Sequence, residues 1–152
     1  MCINKMANQY QEMKQRQQKE FNAFPCFFAF SDAQFAEGMK KLGLKPTPTR
    51  KVCAGLGGMI YRKTDSPKLV EMMERFGREQ DEAIAADATG EGFIYDMFEY
   101  ELSNHEYTYT CSVSAAITAC GFTAEQVMGD PRLKHGLEKA CTDLWNWYVK
   151  NG

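Results

Sequence analysis

Between Phe93 and Leu102 the chain reads FIYDMFEYEL, and no other stretch restricts the fold as much. Phe93, Met97 and Tyr100 recur at intervals of three and four, with Ile94, Phe98 and Leu102 beside them. On a helix these positions form an apolar face too wide to leave in water, which predicts a helix built into a core. Asp96, Glu99 and Glu101 are expected on its flanks. The next residues, Ser103-Asn104-His105-Glu106, carry side chains that bond their own backbone and end helices. Tyr107 to Thr110 then has extended-chain character, with an alternation that suits a short strand or a tight connection. A polar cluster of Asn104, His105, Glu106 and Tyr107 is therefore expected at a helix end.

At 152 residues the chain is expected to form a single domain, 1-152, able to bury about two-thirds of its unfolded surface. The apolar run Phe24 to Phe30 is too short to span a bilayer, and the polar N-terminus does not read as a secretory signal. The expectation is a cytoplasmic protein, with no membrane partner. Six cysteines, Cys2, Cys26, Cys53, Cys111, Cys120 and Cys141, include no C-x-x-C pair and read as reduced. Cys120 and Cys141 fall on apolar helix faces, the usual place of a structural thiol. A zinc site from His105, Cys111, Cys120 and His135 would need convergence across long separations, so no metal and no cofactor is expected.

The remaining elements read as an α+β fold with about three antiparallel strands and five to six helices. Ile3 to Phe21 is a helix with a thin apolar stripe, expected at the periphery or against a second copy of the chain in a homodimer. Phe24 to Phe30 has strong strand preference after Pro25. Ser31 with Gln34 is a capping-box pair opening a short helix that Gly43 closes. Lys51 to Ala54 and Met59 to Lys63 form a hairpin around Gly55-Leu56-Gly57-Gly58; a phosphate-cradling role for those glycines would need a helix directly after them. Ser66-Pro67 begins a helix with Leu69, Met72, Met73, Phe76 and Ile84 at helical spacing. Gly90 and Gly92 break the chain before Phe93. Beyond Thr110 come two short helices, the second opened by Thr123 with Gln126, in a helix-turn-helix outline that lacks base-reading side chains. Asp130-Pro131 opens the final helix, striped by Leu133, Leu137, Ala140, Cys141, Leu144 and Tyr148. Its Trp145 and Trp147 are expected on different sides, one buried and one exposed, with Trp147 as the contact candidate.

The net charge of −2 conceals two poles. Residues 1–63 carry eleven Lys or Arg against four acids, and residues 64–106 carry three against twelve. Solvated helix faces account for most such runs, yet a pole also suits a charged partner. The acidic candidates are Glu71, Glu74, Glu79, Asp81, Glu82, Asp96 and Glu99. The basic candidates are Lys40, Lys41, Lys45, Arg50, Lys51, Arg62 and Lys63.

The runs QKEFNAFPCFFAFSDAQFAEGMKKLGL, GGMIYRK and FEYELSNHEYTYT resemble those of a family of small uncharacterised proteins carried by phages and conjugative elements of gut bacteria. That resemblance assigns no catalytic role to any residue. It implies a context in which small accessory proteins counter host defence, including CRISPR nucleases and restriction systems. The leading expectation is an anti-CRISPR-like inhibitor, not an enzyme, whose carboxylates compete with phosphate for a basic groove on a host defence protein or its nucleic-acid complex. An alternative is a nucleic-acid-binding accessory protein that uses the basic residues, with binding that weakens steeply in salt. A third is a small hydrolase in which His105 and Glu106 act as the catalytic pair. Adjacent helical residues point about 100° apart, so that pair needs a turn in the backbone, and no nucleophile or nucleotide-binding pattern accompanies it.

Overall fold

The structure, a computed structural model, describes residues 7–152. Cys2 and the first positions of the expected N-terminal helix, Ile3 and Met6, lie outside the described residues. The elements run α1 (Gln9–Asn22), β1 (Cys26–Phe27), α2 (Asp32–Lys41), β2 (Val52–Ala54), β3 (Ile60–Arg62), α3 (Ser66–Ala86), α4 (Phe93–Asn104), α5 (Tyr107–Thr110), α6 (Ser114–Ala119), α7 (Ala124–Gly129) and α8 (Pro131–Asn151). This is the expected α+β class with one small antiparallel sheet, and eight helices among the described residues. No helix among them is long and apolar enough to cross a membrane.

The chain divides into two compact units, Met1–Arg16 with Glu79–Gly152, and Gln17–Arg78. In the first, α4 is the central element and packs most extensively on α8, with α6 on another side. Ile94, Met97, Phe98 and Leu102 are completely buried, and Leu133, Leu137, Ala140 and Leu144 of α8 close over them. Local chemistry starts these helices where the sequence places them. Asp130 accepts from the backbone N–H groups of Arg132 and Leu133 ahead of Pro131, and Thr123 and Gln126 form a complete capping box for α7.

Four expectations fail in this unit. Tyr10 and Met13 of α1 belong to the core, Tyr10 packing against the rings of Phe93 and Tyr100, where a peripheral helix was expected. Its stripe is thin, but two large side chains suffice to seat a helix end. Asp96, Glu99 and Glu101 are buried rather than on exposed flanks, because α4 is covered on more than one side. Tyr107 to Thr110 is helical, not extended: the N–H groups of Thr110 and Cys111 reach the carbonyls of Glu106 and Tyr107, so the segment satisfies itself without a neighbouring strand. Trp145 and Trp147, expected to differ, are both exposed, at 41% and 38%.

In the second unit the sheet has the order β1-β3-β2, with Cys26 opposite Tyr61 and Val52 opposite Arg62. The β2–β3 connection is turned by Gly57 and Gly58, both at positive φ, as the hairpin reading requires. The unit's buried apolar side chains, among the described residues, are Met39, Leu42, Met59 and Met72. The buried strand expected after Pro25, Phe27 to Phe30, is instead the two-residue Cys26–Phe27, and Phe28 and Phe30 are exposed. Beyond it the Phe30 N–H bonds to the Gln34 side chain instead of a strand, while Ser31 caps α2, so the chain has already turned into the helix. Gly43 ends α2 in the left-handed conformation, with the Leu44 N–H reaching back to Met39.

Candidate functional site

The polar cluster expected after α4 is assembled only in part. His105 is the C-cap of the helix, its N–H bonded to the Glu101 carbonyl, and its Nε2 lies 3.7 Å from Glu101 Oε2. Burial raises the Glu101 pKa, with His105 and Lys14 acting in the opposite direction. Asn104 and Glu106 are exposed, and Glu106 takes a left-handed backbone at φ 55° that redirects the chain into α5. Tyr107 is held by burial and by a hydrogen bond to Cys141, both of which raise its pKa. A concavity of about 230 Å³ opens here between α4, α5 and α8, lined by Leu102, Ser103, Tyr107, Thr108, Leu144 and Trp147. It brings Tyr107 and Trp147 together but contains neither His105 nor Glu106.

All five cysteines among the described residues are free, and burial pushes the Cys120 thiol up to about 12, far from a reactive thiolate. No group of three or more His, Cys, Asp or Glu able to hold a metal occurs among the described residues, so His105, Cys111, Cys120 and His135 do not converge as a zinc site. His135 instead faces Glu91 at 3.4 Å.

The acidic candidates separate into three groups. Asp96 is drawn inside, where its carboxylate accepts from the Gln9 N–H at 2.9 Å and its carbonyl accepts from Asn8 at 2.9 Å; Glu99 is buried with it. Glu71 and Glu79 are engaged by Arg75 and Arg16 at 3.1 and 2.6 Å. Only Glu74, Asp81 and Glu82 remain exposed without an ion pair among the described residues.

The basic candidates behave differently. From residue 38 to 64 the chain holds seven Lys or Arg and no acid. Folding gathers them: Arg62 reaches from the end of β3 to the Leu42 carbonyl at 3.5 Å, which sets the C-terminus of α2 beside the open end of the hairpin. Because Val52 pairs with Arg62, Lys51 and Lys63 leave the ladder at that same end. Lys40 and Lys41 stand on the last turn of α2, favoured there by the helix dipole. The Arg62 guanidinium is neutralised by buried Asp65 at 2.8 Å. Lys40, Lys41, Lys45, Arg50, Lys51 and Lys63 are exposed and have no ion-pair partner among the described residues. Lys45 and Lys51 share the wall of a concavity of about 300 Å³ with Gly43, Leu44, Thr47 and Pro48. Those last four were not anticipated, since a wall built from loop backbone leaves no signature in residue spacing.

The charge poles also coincide with the units. Gln17–Arg78 carries eleven Lys or Arg against six acids, while the rest of the chain carries seven against fourteen. Residues 9–143 match the model of a family described only as of unknown function, DUF7659. No curated protein and no solved structure matches the chain.

Proposed function

The chain belongs to this family of unknown function, so its activity must be read from its own residues, and we propose that it is an accessory protein that binds nucleic acid through the Gln17–Arg78 unit. The observation that carries the reading is the cluster of six exposed cations at one end of the hairpin, without ion-pair partners among the described residues and two of them in the walls of a concavity. Surface lysines ordinarily alternate with acids. Here a phosphate chain would meet no repelling carboxylate along the segment 38–64, and each cation placed on a phosphate releases condensed counterions.

The test is fluorescence anisotropy of a labelled nucleic acid titrated with the protein over a range of salt. Six phosphate contacts predict a loss of roughly a thousandfold in affinity between about 50 and 200 mM salt. Replacing Lys45, Arg50 and Lys51 together by Ala should flatten the salt slope by close to three contacts' worth. Absence of binding at low salt, or an unchanged slope in the triple variant, would remove the reading.

A second proposal is the mobile-element origin with inhibition of a CRISPR or restriction nuclease. Of the acidic candidates named from the sequence, its support has narrowed to Glu74, Asp81 and Glu82, which are exposed and engaged by no cation among the described residues. Pull-down from a bacterial lysate, with and without nuclease treatment, separates it from the first: a defence nuclease retained after nucleic acid is destroyed supports direct protein contact.

A further inference from the structure

We infer that the nucleic acid bound by this unit is single-stranded, its bases stacking on Phe28 and Phe30 while its phosphates follow the lysines at the far end of α2. This rests on the nucleic-acid reading above and adds the form of the ligand.

The two rings are anomalous on any structural account. Phe27 faces the sheet interior, ring to ring with Phe35, and Gly38 of α2 makes room for it. Phe28 and Phe30 follow it on the way into α2 but stay 47% and 90% exposed. No aromatic contact among the described residues involves either one. Phe30 is almost wholly solvated and Phe28 about half so, and both belong to the same compact unit as the cations that have no ion-pair partner among the described residues. Helix α2 separates the two features: Ser31 caps it next to Phe30, and Lys40 and Lys41 end it. Its ten residues at a rise of about 1.5 Å set that separation near 15 Å, within reach of a short stretch of extended strand.

A positively charged track with aromatic platforms is the arrangement that recognises single strands without reading sequence, because every base has a π-face to offer. Duplex denies those faces to the rings. Lys45 and Lys51 in their shared concavity would hold one phosphate, and the lysines on the last turn of α2 would hold its neighbours. No base-edge recognition is implied, so the preference is for strandedness and not for sequence.

The experiment compares an unstructured oligothymidylate with a mixed-sequence duplex and with inorganic polyphosphate, a backbone charge without bases. The proteins are the full chain and its Phe28→Ala/Phe30→Ala variant, whose folding is checked by circular dichroism. The expected result is tighter binding of the single strand than of duplex, reduced by about 30-fold or more in the variant, which loses both stacking platforms. Binding of polyphosphate and the salt slope should be the same in both proteins. A Phe30→Trp variant should keep the affinity and have its indole fluorescence quenched by the oligonucleotide. Duplex bound as tightly as single strand, or single strand bound equally by the variant, overturns the inference and leaves nucleic-acid binding standing. If the wild type binds none of the three probes, both readings fall.

Discussion

The Gln9 backbone N–H donates to the Asp96 carboxylate at 2.9 Å, so the start of α1 is capped by a side chain 87 positions later. The residue next to the helix, Asn8, supplies the usual cap by accepting from the Gln11 N–H at 2.8 Å, and Asp96 adds a second acceptor. Here one side chain of α4 both satisfies a helix terminus and fixes where the N-terminal segment meets the core. Asp96→Ala should cost about 0.5 to 2 kcal/mol, the range for loss of a cap, whereas Asp96→Asn, which keeps an acceptor oxygen, should cost much less. Urea denaturation of the two variants checks the difference.

Asp87 makes the loop before α4 pH-dependent. Burial alone would raise its pKa, but the N–H groups of Ile94, Gly90, Gly92 and Thr89 all donate to it and hold it below the ordinary value of 3.8. A folded-state value below the unfolded one means that the ionised group stabilises the fold above the unfolded-state pKa. That contribution is lost as pH falls through the lower folded-state value. Asp87→Ala should therefore be destabilised at neutral pH, and its deficit against wild type should shrink in strong acid. A constant deficit across a pH series of thermal melts would contradict the assignment.

Glu101 has the opposite sign. Its burial raises the pKa above 4.5 despite His105 and Lys14, so the protonated form suits the fold and the contribution is lost as pH rises through the folded-state value. Glu101→Gln keeps the shape and cannot ionise. Its melting temperature should exceed that of wild type at pH near 8, and the gain should vanish in acid below the ordinary carboxylate range.

Close packing at two glycines predicts a contrast with a third. A β-carbon on Gly136 would stand 2.6 Å from the Gly90 carbonyl oxygen and from Ile94 Cγ2, and one on Gly38 would run into the Phe27 ring. Ala at either position should cost about 1 to 3 kcal/mol through overpacking. Gly77 lies inside α3 with nothing near its missing β-carbon, so Gly77→Ala should stabilise by about 0.5 to 1 kcal/mol. Chemical denaturation midpoints of the three variants would rank them.

Phe98 and Leu137 are 0% and 3% exposed on the two helices that pack most extensively. Truncation of either to Ala should cost roughly 2 to 5 kcal/mol, depending on how far the cavity collapses. A variant that melts like the wild type would mean that the α4 and α8 faces are assigned wrongly.

Much of the secondary structure was legible because its signals act over three to five residues. Asp130-Pro131, Thr123 with Gln126 and Gly43 each bond or turn within one helical turn, and each does so where the sequence says it should. The α4 and α8 stripes were legible for the same reason, their period being a property of the helix itself. The Tyr107–Thr110 segment misled because alternation over four residues is as compatible with one helical turn as with a strand, and the bond to Glu106 decides between them.

For the site, the chain by itself determined which charges exist and that the segment 38–64 holds only positive ones. Tertiary structure decided which of them count. An apolar stripe gives the width of a helix's buried face but not how many neighbours will cover the other sides, so Asp96, Glu99 and Glu101 passed for surface acids until α1, α6 and α8 closed around α4. Likewise, a run of lysines has no shape until a hairpin register and a helix terminus bring them to one end of a sheet. Residues distant along the chain become neighbours only through those long-range contacts, and no local spacing encodes them.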